Sequence, residues 1–256
     1  MPIRRLFSII FLFWTWLVSP CAILRAREVI GSKSGIDQMN PDPVVTNPIL
    51  VIYRPESDGS PCPVTDKVKW DDAPEGFGWY TVPKGQLERT VARDICGNDP
   101  LRIWIFCRVN RLDEKHMLSR VLVPIDLDAA SEYTPIPKWI ADTGESMIVF
   151  RSRQYYGVYS EGRLAYWGPV STGRKGHETP LGTYRIVFRQ QRYPGYDPKQ
   201  FEWFMWLSGD DGNAIHRGPL TGEAASNGCI RMLLQEGLSL YRWDNPELLV
   251  HVVEGR

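Results

Sequence analysis

Ala214-Ile215-His216-Arg217-Gly218, a short polar loop, and then Ala225-Ser226-Asn227-Gly228-Cys229-Ile230-Arg231-Met232 form the stretch on which the reading of this 256-residue chain turns. A histidine ending an apolar strand and a cysteine in a small-residue turn are joined by a connection too short to let them drift apart. A free thiol has a pKa of roughly 8.5 and is mostly protonated at neutral pH, and only its thiolate attacks a carbonyl well. A neighbouring imidazole takes that proton and can return it to a leaving amine. His216 is thus read as general base and acid, and Cys229 as nucleophile. The turn from Ser226 to Cys229 presents backbone N–H groups to an oxyanion, and Gly228 leaves substrate room for close approach. Arg231, two residues on, is a fixed cation suited to a substrate carboxylate.

Around this stretch the pattern is strand-dominated. Residues 147–150 and 155–159 are β-branched or aromatic, 160–162 form a turn, and 163–170, 182–188, 203–207 and 213–216 follow as strands. Leu234, Leu238 and Tyr241 recur at helical spacing just after the cysteine, and 248–253 closes the chain as a strand. The fold class expected for 146–254 is therefore mainly β, with one helix packed after the catalytic turn. Trp203 and Trp206 read as packing residues, and His177 as part of a glycine-flanked turn, with substrate contact as its alternative.

A second, smaller unit precedes it. Residues 79–82 read as a strand turned by Pro83-Lys84-Gly85, and Leu87, Val91 and Ile95 recur at helical spacing until Gly97. Asp99 can cap a new helix with Pro100 in its first turn, and 122–125 is a second strand. The order is strand, helix, helix, strand over 78–127, an α+β unit. Residues 128–145 are read as a linker, with Thr134-Pro135-Ile136-Pro137 as a semi-rigid connection. Residues 27–77 are a loop-rich lead-in with one apolar island at 49–53.

Arg4 and Arg5 precede an uncharged apolar run over 6–18, shorter than the roughly 20 residues of a spanning helix. Residues 1–26 are thus a signal peptide, with an uncleaved anchor as the alternative, and the protein is expected to be exported to the periplasm or cell envelope. Thirty Lys and Arg against thirty Asp and Glu leave no net charge, which argues against a nucleic-acid partner, and membrane contact is expected only through an uncleaved leader. Of five cysteines, Cys62, Cys96 and Cys107 are left once the leader and the site are set aside. In an oxidising envelope two of them can pair, Cys96 with Cys107 foremost among three arrangements. No spacing resembles a metal site, His116 and His251 stand apart, and no cofactor is called for.

The organising stretch resembles the L,D-transpeptidase catalytic (YkuD-like) domain, whose signature is a His, a variable loop and Ser-x-Gly-Cys-x-Arg. The likeness extends upstream through Ser171-Thr172-Gly173 and Thr179-Pro180-Leu181-Gly182. It implies a β-sandwich or barrel and attack by Cys229 on a peptidoglycan stem peptide, giving a thioester that an amine resolves. Ser226, Gly228 and Arg231 would surround the reaction, and the Arg217 carbonyl would orient His216. The acceptor would be another stem peptide, a free D-amino acid or a wall-anchored protein. Hydrolysis by water and a non-catalytic wall-binding role are the alternatives. Two positions depart from the common pattern: Arg217 stands between His216 and Gly218, and Asn227 where many members carry His. The smaller unit resembles a LysM module in Tyr80-Thr81-Val82-Pro83-Lys84-Gly85, Asn110-Arg111-Leu112 and Leu122-Val123-Pro124, which implies binding to peptidoglycan glycan strands.

Overall fold

Strands β1 (Phe77–Thr81) and β2 (Arg120–Pro124) pair antiparallel, from Phe77 opposite Pro124 to Thr81 opposite Arg120. Between them lie helices α1 (Ala92–Cys96) and α2 (Pro100–Asn110), so the expected order of strand, helix, helix, strand is what the computed structural model shows. It describes residues 54–141, 144–193, 201–209, 212–243 and 245–255. The leader over 1–26 and the island at 49–53 lie outside the described residues.

Helix α2 starts and stops where its residues require. The Asp99 carboxylate accepts from the Arg102 amide at 2.8 Å, Pro100 takes the first position, and Arg111 ends the helix in a left-handed conformation. The expected helical run through Leu87 and Val91 does not form. Gln86 to Thr90 close a turn on themselves, Val91 is extended, and only Ala92–Cys96 is helical. Cys96, Cys107 and Cys62 pack in the same apolar cluster as Phe106 and Ile95, and all three are free thiols, so none of the expected pairings is formed. Burial pushes the thiols of Cys96 and Cys107 up, and they behave as small apolar core residues.

The region read as a linker is built into the structure. Its start is helix α3 (Leu127–Glu132), capped by Asp126, and Ile136 is buried. The Pro137 carbonyl accepts from Tyr159 Oη at 2.8 Å, which ties the connection to the β domain.

The β domain comprises β3 (Glu145–Phe150), β4 (Tyr155–Ser160), β5 (Arg163–Pro169), β6 (Gly182–Arg192), β7 (Glu202–Leu207), β8 (Ala214–Arg217), β9 (Ile230–Met232) and β10 (Leu249–Val253), with helix α4 (Leu234–Arg242) before the last strand. Their order is β5-β4-β3-β10-β6-β7-β8-β9. Ser171, just past β5, exchanges both backbone hydrogen bonds with Arg231 of β9, so the two edges of the sheet meet in one bridge. The inner face gathers Met147, Val149, Val158, Met205, Ile215, Ile230, Met232 and Val250 around Leu240 of α4 in one core. Strand β9 was not foreseen.

Candidate active site

Strands β8 and β9 pair in parallel, with Ile215 opposite Ile230 and His216 opposite Arg231. Both isoleucines are fully buried in the core. Alternation of side chains then places Ala214, His216 and Arg231 on the opposite face, and Cys229 lies in the bend immediately before β9. The Ala214 backbone N–H lies near enough to the Cys229 sulfur to favour its thiolate, which places the thiol beside β8. His216 is thus carried by β8, while Cys229 sits in the bend that leads into the adjacent β9, one residue before its start.

The imidazole is held in one orientation. Its Nδ1 lies 2.6 Å from the Arg217 carbonyl, a bond in which Nδ1 donates and Nε2 is turned outward from it. Phe201 and Phe204 stack on the ring at 4.9 and 5.1 Å with interplanar angles of 18° and 7°. His216 is only 2% exposed. Neither phenylalanine was singled out from the sequence, although Phe204 and Trp206 alternate onto the face that carries Ala214 and His216. Trp206 packs against Phe204 and Tyr193, while Trp203 leans on Tyr241 of α4.

Arg217, the bulky residue between His216 and Gly218, does not crowd the imidazole with its side chain. It follows His216 on a strand and points to the other face, where its guanidinium meets the Glu202 carboxylate at 2.6 Å. Only its carbonyl serves the histidine. Asn227 is bonded through its side-chain oxygen by Arg174, which links the nucleophile turn to the loop after β5.

The turn is braced from several sides. Ser226 Oγ donates to the Cys229 carbonyl at 2.5 Å and accepts from the Gly228 N–H at 3.1 Å. Thr179 Oγ1 donates to the Gly228 carbonyl at 2.7 Å, and Thr172 accepts from the Ser226 N–H through its carbonyl. Gly228 itself has φ +117°, and a Cβ there would lie 2.7 Å from Asn213 Oδ1. Its requirement is conformational as well as steric, and the nearest obstacle is Asn213, where open space for substrate was expected. Because the Gly228 N–H is taken up by Ser226, it does not face an oxyanion. His177 is exposed in the 174–177 turn, which its N–H closes on the Arg174 carbonyl.

Burial pushes the Cys229 thiol above its ordinary pKa, and the Ala214 N–H and the Arg231 guanidinium pull it back in part. The Arg231 guanidinium is itself shifted down, by burial foremost and by Arg174 nearby.

Residues 145–252 match the YkuD family, the L,D-transpeptidase catalytic domain. The match covers less than half of the chain, and it contains β3 through β9, α4 and most of β10. Among solved structures, an L,D-transpeptidase from Stackebrandtia nassauensis is similar at 21% identity and TM-score 0.41, over 51% of this chain and 66% of that one. An L,D-transpeptidase from Mycobacterium tuberculosis H37Rv gives 21% identity and TM-score 0.37, over 43% and 58%. One from Enterococcus faecium, a mutant, gives 19% and 0.36, over 44% and 50%. This chain spans less than two thirds of the length of each. Comparison with curated proteins found no match.

Proposed function

We propose that the protein is a peptidoglycan L,D-transpeptidase in which Cys229 attacks a stem-peptide carbonyl and holds the acyl group as a thioester. The observation that carries the reading is the placement of His216 on β8 and of Cys229 at the entry to the paired strand β9, inside the YkuD match. His216 takes the thiol proton through Nε2, since Nδ1 is committed to the Arg217 carbonyl. The proton then goes to the leaving amine, and an incoming amine gives its proton back as it displaces sulfur. With the Gly228 amide engaged, the Cys229 N–H is the turn's donor to the developing oxyanion. Arg231, paired with His216 across the strands, takes a substrate carboxylate.

The smaller unit is read as a LysM-like glycan-binding module, which would hold the enzyme on its polymer, and the 1–26 leader as the export signal that brings it to the cell envelope. Tetrapeptide-bearing disaccharide offered to the purified chain is expected to lose its terminal D-residue and form 3→3 linked dimers. Cys229→Ala is expected to do neither. Dimers made at the normal rate by that variant would end the mechanism, and tripeptide without dimer at high acceptor concentration would favour a hydrolase.

A further inference from the structure

We propose that the cleft where the βααβ unit meets the β domain binds an oxyanion and transmits its occupancy to the nucleophile turn; the consequence for catalysis rests on the reading of Cys229 above. The cleft has a volume of about 490 Å³ and is lined by Arg111, Arg151, Arg153, Gln154 and Tyr155 with the 222–224 loop. Cys229, His216 and Arg231 are not among its walls. Its size falls within the roughly 300–1,000 Å³ of small-molecule sites.

Arg111, Arg151 and Arg153 line this space, and among the described residues Glu223 lies in the wall and Glu254 pairs with Arg151. Arg111 donates to neutral oxygens, the Gly222 carbonyl at 3.2 Å and Tyr155 Oη at 3.1 Å, so its positive charge is not cancelled by these contacts. Guanidinium forks in this arrangement suit a planar carboxylate or a phosphate, each able to accept two parallel hydrogen bonds. The shared ligand chemistry is an oxyanion on a wall component, either a peptide carboxylate or a polymer phosphate.

Two lines of hydrogen bonds run from the cleft to the turn, and a third ties its wall to Ala225 just before the turn. Gln154, a non-glycine residue at φ +58°, has a buried side chain that donates to Thr172 Oγ1 at 2.6 Å and accepts from the Thr172 N–H at 2.7 Å. Thr172 in turn holds the Ser226 N–H, and Ser226 holds the Cys229 carbonyl. Arg151 donates to the Thr179 carbonyl at 2.9 Å, and the Thr179 hydroxyl donates to the Gly228 carbonyl. Ser171 Oγ donates to the Glu223 carbonyl at 2.7 Å and accepts from the Ala225 N–H at 3.1 Å. A residue held in the left-handed region by surrounding bonds is a point where strain is stored, and Gln154 is both wall and relay. An anion that contacts Arg151 and orders the Gln154 turn biases the Ser226 to Cys229 turn to the extent that it binds one arrangement better than another.

The test uses the full chain, with inorganic phosphate as probe at constant ionic strength held by chloride. Alkylation of Cys229 by iodoacetamide is followed site by site in peptide mass spectra, a readout independent of transpeptidation. Phosphate is expected to change that rate at least about twofold in a saturable manner, and Arg153→Ala to weaken the apparent phosphate affinity about tenfold, the scale of a lost charge-assisted contact. Arg111→Lys, which keeps the charge without the fork, is expected to weaken it less. Arg163→Ala, remote from the cleft, should leave the phosphate response unaltered. N-acetyl-D-alanine acting where its amide does not would assign the site to a carboxylate; phosphate acting alone would assign it to a phosphate polymer. A non-saturable response, a response equal in Arg153→Ala, or saturable binding with no change at Cys229 would each overturn the proposal. A response that persists in a protein shown to lack transpeptidation would retain the site and sink the catalytic reading instead.

Discussion

At Gly228, backbone φ of +117° and an Asn213 oxygen 2.7 Å from any added Cβ act together. Gly228→Ala is expected to cost about 1–3 kcal/mol of stability and to slow Cys229 alkylation, as measured by urea unfolding and thiol kinetics. Adding Asn213→Ala should recover only part of the loss, because it relieves the contact and leaves the conformation strained. The thiol offers a second prediction. Burial raises its pKa and Arg231 opposes that shift, so Arg231→Ala should move the alkaline limb of the alkylation rate to higher pH. Arg231→Lys should move it less. An unmoved limb in Arg231→Ala would mean that the guanidinium does not act on the sulfur. The thiol, the imidazole and the cation were legible in the sequence because they lie close along the chain, and their proposed roles came from the resemblance of the surrounding Ser-x-Gly-Cys-x-Arg pattern. The stacking of Phe201 and Phe204 on His216 was not, since it needs β7 and β8 side by side.

Among the elements, α2 was the most legible, because its start signal is local: Asp99 accepts from the amide three residues on and Pro100 lacks the donor that a first turn cannot use. Asp99→Ala is expected to destabilise the protein by about 1–2 kcal/mol in thermal or urea unfolding, with Asp99→Asn closer to wild type. An equal loss in both variants would shift the weight from capping to the negative charge, which also accepts from Ser57. Strand β9 shows the opposite case. Three residues are too few for an alternating pattern, and Ile230–Met232 becomes a strand by pairing with β8 on one side and with Ser171 on the other. The failed helical run through Leu87 and Val91 has the same lesson: apolar spacing suggested a helix, while the Thr90 hydroxyl and the amides of Arg89 and Thr90 closed on the Gln86 carbonyl.

Across the molecule, the βααβ unit and the β domain share a buried polar joint. Arg108 of α2 lies over the rings of Trp104, Tyr166 and Trp167 at 4.0 to 4.8 Å, and its Nε is 3.6 Å from Glu236 of α4. Tyr166 Oη donates to the same carboxylate at 2.9 Å. Burial nonetheless dominates and raises the Glu236 carboxyl from 4.5 to about 7, with Arg108 opposing the shift. The folded protein therefore binds this proton more tightly than the unfolded chain. The corresponding stability is present in full below about 4.5 and is lost as the pH rises to about 7. Glu236→Gln cannot ionise and resembles the protonated acid. Its stability relative to wild type should rise between those limits, by on the order of 3 kcal/mol, in urea unfolding at a series of pH values. A difference that stays flat with pH would show that Glu236 does not change its proton affinity on folding. The loop between His216 and Cys229 also crosses this joint, with the Gly222 N–H on the Arg111 carbonyl at 2.8 Å and the Asp113 N–H on the Leu220 carbonyl at 3.0 Å.

By itself the sequence determined the plan: a thiol and an imidazole on a short tether, a mainly β domain, and a small unit with two helices between two strands. These follow from local signals, namely residue type, period and capping. Tertiary structure alone decided the strand pairing that sets His216 opposite Arg231, the direction of the Arg217 side chain toward Glu202, the free state of Cys62, Cys96 and Cys107, and the joint between Arg108 and Glu236. Each of these depends on which strand lies beside which and on what burial does to a polar group, and neither is encoded in the spacing of residues along one segment.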